Sequence, residues 1–359
     1  MVVVNTVDAL ARLAAFGLPG AATSPVDVEA LDELLMVAEA QRVVSWVSAA
    51  VDAGLVPQAT EEWQQDVRER ELVAAQMTLR AHAATASVVT QLTTGGVRDI
   101  RVLKGCATGP LDHPRPTDRF CSDVDLLISR DDLPRALATF SDGPINAPTG
   151  SERWQQRYGR GPAVHDDHGL EIDLHTMLRE GYFGLTIPFG ELVADAQPFT
   201  IGGVTMYGLD GPNRLIHAAH HVGLPTASYT GMHSRRDVLQ LALVSEVDWR
   251  EAIDRATRWK VDALVAQGVV AAWSTFEVDS HPLLEWAQRH RAVGRQRVAM
   301  CLVGRRHQGD FLTGPLALAP HRWPGYVLPL MFPSRTYLAE HETGRVKRIG
   351  ALIRGRGPG

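Results

Sequence analysis

The strongest constraint on the fold is a pair of short segments in which acidic residues alternate with aliphatic ones. Residues 123–128 read Asp-Val-Asp-Leu-Leu-Ile and residues 171–175 read Glu-Ile-Asp-Leu-His. A period of two marks a β-strand with one face buried. In the first segment Asp123 and Asp125 share a face, about 6–7 Å apart along the backbone, while Val124, Leu126 and Ile128 point to the opposite layer. In the second, Glu171, Asp173 and His175 share a face, backed by Ile172 and Leu174. Such strands need partners, and the chain supplies them. Ile100-Arg101-Val102-Leu103 reads as a short strand. Val164-His165 and residues 170–175 flank Asp166-Asp167-His168-Gly169, a hairpin turn. Residues 199–201 and 204–207 flank Gly202-Gly203, a second one.

On either side of these strands the spacing turns helical. Val28, Leu31, Leu34, Leu35 and Ala38 form one stripe, continued by Val43, Val44 and Val47. A further helix is predicted from Thr60, with Glu61 and Glu62 in its first turn and Gly95-Gly96 as its stop. Residues 131–140 read as a helix, with Ser129 or Asp131 near the cap and Pro134 in the first turn. Helical patterns return over 213–224, 235–249 and about 250–275, followed by a Pro- and Gly-rich stretch at 309–335. The basic tail after Arg345 is expected to be poorly ordered. These shifts divide the chain into a helical region (1–96), a mixed core (97–208) and a helical region with an extended tail (209–359). The expected class is α+β.

Length and charge narrow the function. A chain of 359 residues holds two or three domains and can bury a sizeable core. A net charge of -5 carries no footprint of strong general nucleic-acid binding. No run of about 18 apolar residues is present, so no membrane span is expected. The N-terminus lacks a basic n-region and carries Asp8 and Arg12 early, unlike a signal peptide. Cys106, Cys121 and Cys301 have no Cys-x-x-Cys spacing and are read as neither disulfide framework nor zinc site, which points to a cytoplasmic setting. Lysine occurs only at 104, 260 and 347, so a lysine inside a motif stands out.

Two acids side by side on an apolar strand repel each other and lose hydration unless a cation binds between them. Hard oxygen ligands suit magnesium or manganese rather than zinc. A lone Asp-x-Asp equally fits a solvated sheet edge. If residues 171–175 lie beside the first strand, Asp173 completes a three-carboxylate cluster of the kind that holds two metal ions. His175 and Glu171 would be unremarkable on a solvent-facing strand. His217, His220 and His221 share helical spacing but lack the glutamate of a His-Glu-x-x-His zinc site, and are read as packing or surface histidines. Trp154, Arg157, Tyr158 and Arg160 form a polar-aromatic patch, read as part of a long loop.

Leu103-Lys104-Gly105, then Arg119-x-x-Ser122-Asp123-Val124-Asp125-Leu126-Leu127, then Ile172-Asp173-Leu174-His175 resemble the uncharacterised nucleotidyltransferase family of the polymerase-β-like superfamily, over about 100–250. Phe332-Pro333-Ser334 is similar to that family's C-terminal element. The resemblance implies a nucleotidyltransferase core with a mixed sheet, flanked by helical N- and C-terminal regions. It implies transfer of a nucleoside monophosphate from an NTP, such as ATP, to an acceptor hydroxyl with release of pyrophosphate. Magnesium or manganese would sit on Asp123, Asp125 and Asp173, the catalytic carboxylates. Lys104, Gly105, Arg119 and Ser122 would bind the nucleotide, since backbone N–H groups at a helix start and a nearby ammonium suit phosphate. Arg119 either reaches a phosphate or neutralises the acidic cluster. His175 and Asp237 would lie near the acceptor or behind the metal ligands; Asp237 also fits a plain helix-start acid. One departure is Cys106, where the superfamily usually has Gly-Ser or Gly-Gly after the first strand, so a phosphate-touching hydroxyl is missing. The acceptor, whether small molecule, peptide or RNA, is open. A nucleotide-binding regulator without turnover and a toxin-like transferase acting on tRNA are the alternatives.

Overall fold

The computed structural model describes residues 5–141, 152–223, 231–245, 247–304 and 311–332. Helices α1 (Thr6–Ala14), α2 (Leu31–Ala40), α3 (Val44–Asp52) and α4 (Glu61–Thr94) come first. The mixed segment follows: β1 (Arg101–Val102), α5 (Lys104–Asp112), β2 (Val124–Leu127), α6 (Leu133–Leu137), α7 (Glu152–Tyr158), β3 (Ala163–His165), β4 (Glu171–His175), α8 (Tyr182–Leu185), α9 (Phe189–Val193), β5 (Gln197–Ile201) and β6 (Val204–Gly208). Then come α10 (Gly211–Val222), α11 (Met232–Leu243), α12 (Trp249–Arg258), α13 (Asp262–Trp273), α14 (Pro282–Arg289), α15 (Gly294–Gly304), α16 (Gly314–Ala317) and α17 (Trp323–Met331). The architecture is α+β, as the strand and helix spacing predicts.

Local chemistry accounts for the long elements. Thr60 caps α4, its hydroxyl accepting from the Trp63 backbone N–H at 3.2 Å, and Gly95-Gly96 ends it. In the β3–β4 turn the Asp166 carboxylate accepts from the backbone N–H groups of His168 (2.9 Å) and Leu170 (2.7 Å). Gly202 and Gly203, at φ 57° and 82°, supply the left-handed pair that a two-residue hairpin between β5 and β6 demands. Some elements escape the sequence reading. Helix α1, capped by Asn5, was not expected, and the pattern at 250–275 is two helices, α12 and α13. Pro333, Ser334 and the tail beyond Arg345 lie outside the described residues.

The sheet order is β3-β4-β2-β1-β6-β5. β2 is parallel to β4 and antiparallel to β1; β1 is parallel to β6; the β3–β4 and β5–β6 pairs are antiparallel. One face, carrying Val102, Val124, Leu126, Ile172 and Leu174, packs on Val88, Val89 and Leu92 of α4. From the other face Leu127 enters a larger core that joins Leu10, Leu34 and Val47 to Leu215, Leu239 and Val265. Helices from both ends of the chain therefore close over the face that, by alternation, also carries Asp125. Arg236 of α11 pins this closure, donating to the carbonyls of Ala14 and Phe16 at 2.8 Å each while its guanidinium lies 4.2 Å over Trp46.

The aromatic patch near residue 154 is not a loop surface. Trp154 and Tyr158 belong to α7 and pack with Tyr326 and Leu330 of α17 in a small separate core, the Trp154 indole donating to the Tyr326 carbonyl at 2.8 Å. Burying these large rings outweighs the polar character that the neighbouring arginines lend the sequence.

Buried histidines make the fold acid-sensitive, His113 and His220 among them. Burial pushes His113 and His220 down to about 3, helped by nearby arginines. The ring Nε2 atoms of both are buried with no hydrogen-bond partner among the described residues. Each is neutral when folded and charges near pH 6.5 when unfolded, so its stabilising share is complete above that pH and is lost as pH falls toward 3. At pH 5 the loss is about 2 kcal/mol per histidine. Urea unfolding at pH 7, 6 and 5 should show this decline, and His220→Leu should flatten it; an unchanged slope in the variant would refute the assignment.

Candidate active site

The site begins where β1 ends. The Leu103 N–H donates to the Asp125 carbonyl at 2.9 Å, holding the chain against β2 until Lys104 turns it into α5. Lys104 takes a left-handed backbone, φ 48°, which is unfavourable for any side chain but glycine or asparagine. Gly105 follows because there is no room for more: a Cβ there would lie 3.0 Å from the Cys121 Cβ and 3.1 Å from the Phe120 carbonyl oxygen. The first turn of α5 thus lies directly against residues 119–121. Cys106 and Cys121 are joined as a disulfide, their Cα atoms 6.1 Å apart. This corrects the reading of the three cysteines as unpaired; a separation of 15 residues carries no motif, and only the approach of α5 to β2 brings them together.

The two acidic strands lie side by side in register, Asp125 opposite Asp173 and Leu127 opposite His175. Asp125 is 2% exposed. One of its oxygens, Oδ1, accepts from Lys104 Nζ at 2.6 Å and from His175 Nε2 at 2.7 Å. Burial by itself would raise the Asp125 carboxyl, but Lys104 and the His175 hydrogen bond more than reverse this and hold it well below the usual carboxylate range. Burial pushes His175 down, so the ring is neutral and its Nε2–H donates to the Asp125 carboxylate, leaving Nδ1 buried with no hydrogen-bond partner among the described residues. Asp173 stands half-buried at the neighbouring position, its Oδ2 3.1 Å from Arg160 Nη2 and 3.8 Å from His175 Nε2.

Asp125, Asp173 and His175 each offer a ligand atom, all within 4.8 Å of one another, the one such group among the described residues. The donor set suits a hard divalent cation at its carboxylate oxygens. With its Nε2 proton committed to Asp125, His175 serves better to orient that carboxylate than to ligate. Asp123 lies outside this tight group, half-buried just ahead of β2 on the wall of the adjoining cleft.

That cleft, of about 330 Å³, lies between the Lys104–Gly105 turn and helices α10 and α11. Ser122 is half-buried and does not line it. Arg119 does, but its guanidinium is engaged elsewhere: Nε and Nη2 each donate to one oxygen of Asp237 at 2.7 Å, with both residues buried. Arg119 therefore neutralises Asp237 of α11 rather than the carboxylates of β2 and β4. Asp237 is a fork partner, not a free helix-start acid. His217 and His221 face the cleft, whereas His220 turns its ring edge-on to Phe183. Sequence reasoning passed over Arg42, and placed Arg160 in the aromatic patch rather than at the acidic cluster. Arg42, at φ 59°, lines the cleft with its guanidinium 5.4 Å from the Phe120 ring centre. Arg160 reaches Asp173 from the strand-flanking segment. Neither sits in a motif, and only the fold brings them to the site.

The family model described as an uncharacterised nucleotidyltransferase matches residues 27–277, well over half of the chain. No curated protein and no solved structure matches it.

Proposed function

The chain belongs to this uncharacterised nucleotidyltransferase family, and we propose that it transfers a nucleoside monophosphate from an NTP to an acceptor hydroxyl through Asp123, Asp125 and Asp173. The observation that carries the reading is the register of β2 and β4, which sets Asp125 beside Asp173 next to the Lys104–Gly105 turn. Magnesium or manganese held by these carboxylates would stabilise charge on the phosphate oxygens. The protein's own share is placement. Backbone N–H groups at the start of α5 and the Lys104 ammonium receive the triphosphate at one end of the cleft, and Ser122, set back from the cleft wall, has no phosphate role here. His175 keeps Asp125 aimed through its Nε2 proton. The acceptor oxygen bonds to the α-phosphorus as the bond from that phosphorus to the bridging oxygen breaks. Asp173, the more accessible of the paired acids, takes the hydroxyl proton, and the electron pair leaves with pyrophosphate.

The acceptor class is read from products. Wild-type protein, α-labelled NTPs and Mg²⁺, offered small hydroxylated molecules, peptides and tRNA in turn, should give a labelled adduct and an equal amount of pyrophosphate with one class. EDTA should abolish both, and Asp123→Asn should lower both. Nucleotide uptake without pyrophosphate under every condition would replace transfer by regulatory binding. Absence of any nucleotide or metal dependence would end the reading altogether.

A further inference from the structure

The two carboxylates at the centre of the site are each already facing a protein cation. Lys104 Nζ lies 2.6 Å from Asp125 Oδ1, and Arg160 Nη2 lies 3.1 Å from Asp173 Oδ2. The Lys104 contact takes up the same oxygen that His175 holds, so Oδ1 has two donors and little capacity left. An ammonium and a divalent ion cannot share that oxygen without strong like-charge repulsion. Lys104 is also built to move. It stands on four flexible carbons with 27% of its side chain exposed, whereas Asp125 is enclosed and His175 is 2% exposed. Its left-handed backbone, φ 48°, is a conformational cost for a residue that carries a Cβ. The same residue lines the cleft alongside Gly105 and Asp123, where a polyphosphate would offer it a new anionic partner.

We propose that Lys104 is a placeholder cation, holding Asp125 in the metal-free protein and passing to the triphosphate when Asp125 is given up to a divalent ion. This rests on the nucleotidyltransferase reading above and adds to it a coupling. Nucleotide draws Lys104 away from Asp125 and so favours the metal; Asp125, once engaged by the metal, no longer holds Lys104 back from the phosphates. Lys104 is thereby a positioning residue as well as a phosphate contact, and the divalent ion and the nucleotide bind with positive coupling rather than independently.

The scarcity of lysine makes the exchange observable in the wild-type protein. With only residues 104, 260 and 347 labelled at the lysine Cε, three resonances report the three side chains. Mg²⁺ should shift one of them, identified as Lys104 by its loss in Lys104→Met, and leave the other two in place. Mn²⁺ binding without nucleotide, followed at pH 8 by the loss of the free-ion EPR signal, should be at least tenfold tighter in Lys104→Met than in wild type, because the competing charge is gone. A simple phosphate ligand would leave Mn²⁺ affinity unaltered. A structural ion pair would weaken Mn²⁺ binding when removed. Wild-type binding of Mn²⁺ with an unmoved Lys104 resonance, or with equal or weaker binding by the variant, overturns the exchange while the metal site stands. No Mn²⁺ uptake by either protein overturns the metal site itself, and the exchange with it. The resonance experiment needs no substituted protein to fold, apart from the assignment.

Discussion

Asp125→Asn should reduce nucleotidyl transfer by about 10³-fold or more while leaving the protein folded. The amide keeps the shape of the carboxylate, and its carbonyl oxygen can still accept from His175 Nε2, now 2.7 Å from Oδ1. What it loses is charge. The buried position favours a neutral group on desolvation grounds, so the substitution itself removes a cost as well as an attraction. Lys104, with 27% of its side chain exposed, can reach water when its partner disappears, and the destabilisation should stay within about 1–2 kcal/mol. Chemistry has no such escape. A neutral amide at the closed end of β2 offers a divalent cation one weak oxygen beside Asp173, and the charge developing on the phosphates goes uncompensated. Circular dichroism and a urea transition should match wild type, Mn²⁺ uptake should vanish, and product should fall to the limit of detection. Turnover within tenfold of wild type in this variant would mean that the transfer site lies elsewhere.

How far the sequence discloses this arrangement depends on the range of each interaction. The acidic strands were legible because period two survives in any environment, and the hairpins because Gly202-Gly203 and the Asp166 turn carry their own stereochemistry. The convergence of residue 125 with residue 173 was readable as a possibility, since two strands with one buried face each seek a neighbour; the register was not. The offset of Asp123 from the tight group was invisible, because strict alternation assumes a regular strand and β2 starts only at Val124. Long-range charge pairing was wholly hidden. Arg119 had two sequence-level roles, and the structure gives its guanidinium to a residue 118 positions away. The chain carries 41 acids, and nothing local says which one an arginine will meet. The same holds for helix α1 and for the way helices from both termini close over the sheet, which follow from shared burial rather than from any motif.

Removing one partner of that distant pair should be the most destabilising single polar change near the cleft. Arg119 and Asp237 have side chains 6% and 9% exposed and meet through two bonds of 2.7 Å. Asp237→Ala strands a buried guanidinium without the carboxylate that accepts from both its Nε and its Nη2. Such a loss costs about 3–5 kcal/mol. The contact ties α11 to the segment leading into β2, so the damage should also loosen residues 119–123 and lower transfer. The pair as a whole contributes much less, because its Coulombic gain is offset by the desolvation of both ions. Arg119→Met combined with Asp237→Leu should therefore recover most of the stability lost in either single variant, measured by urea unfolding across the full double-mutant cycle. Nucleotide affinity in the double variant then separates the two roles of Arg119. A strut that only positions the β2 approach should leave affinity within about threefold once the fold is restored. A guanidinium that turns to the phosphates should cost at least tenfold, or about 1.4 kcal/mol. With Nε and Nη2 both spent on Asp237, the strut is the expected result.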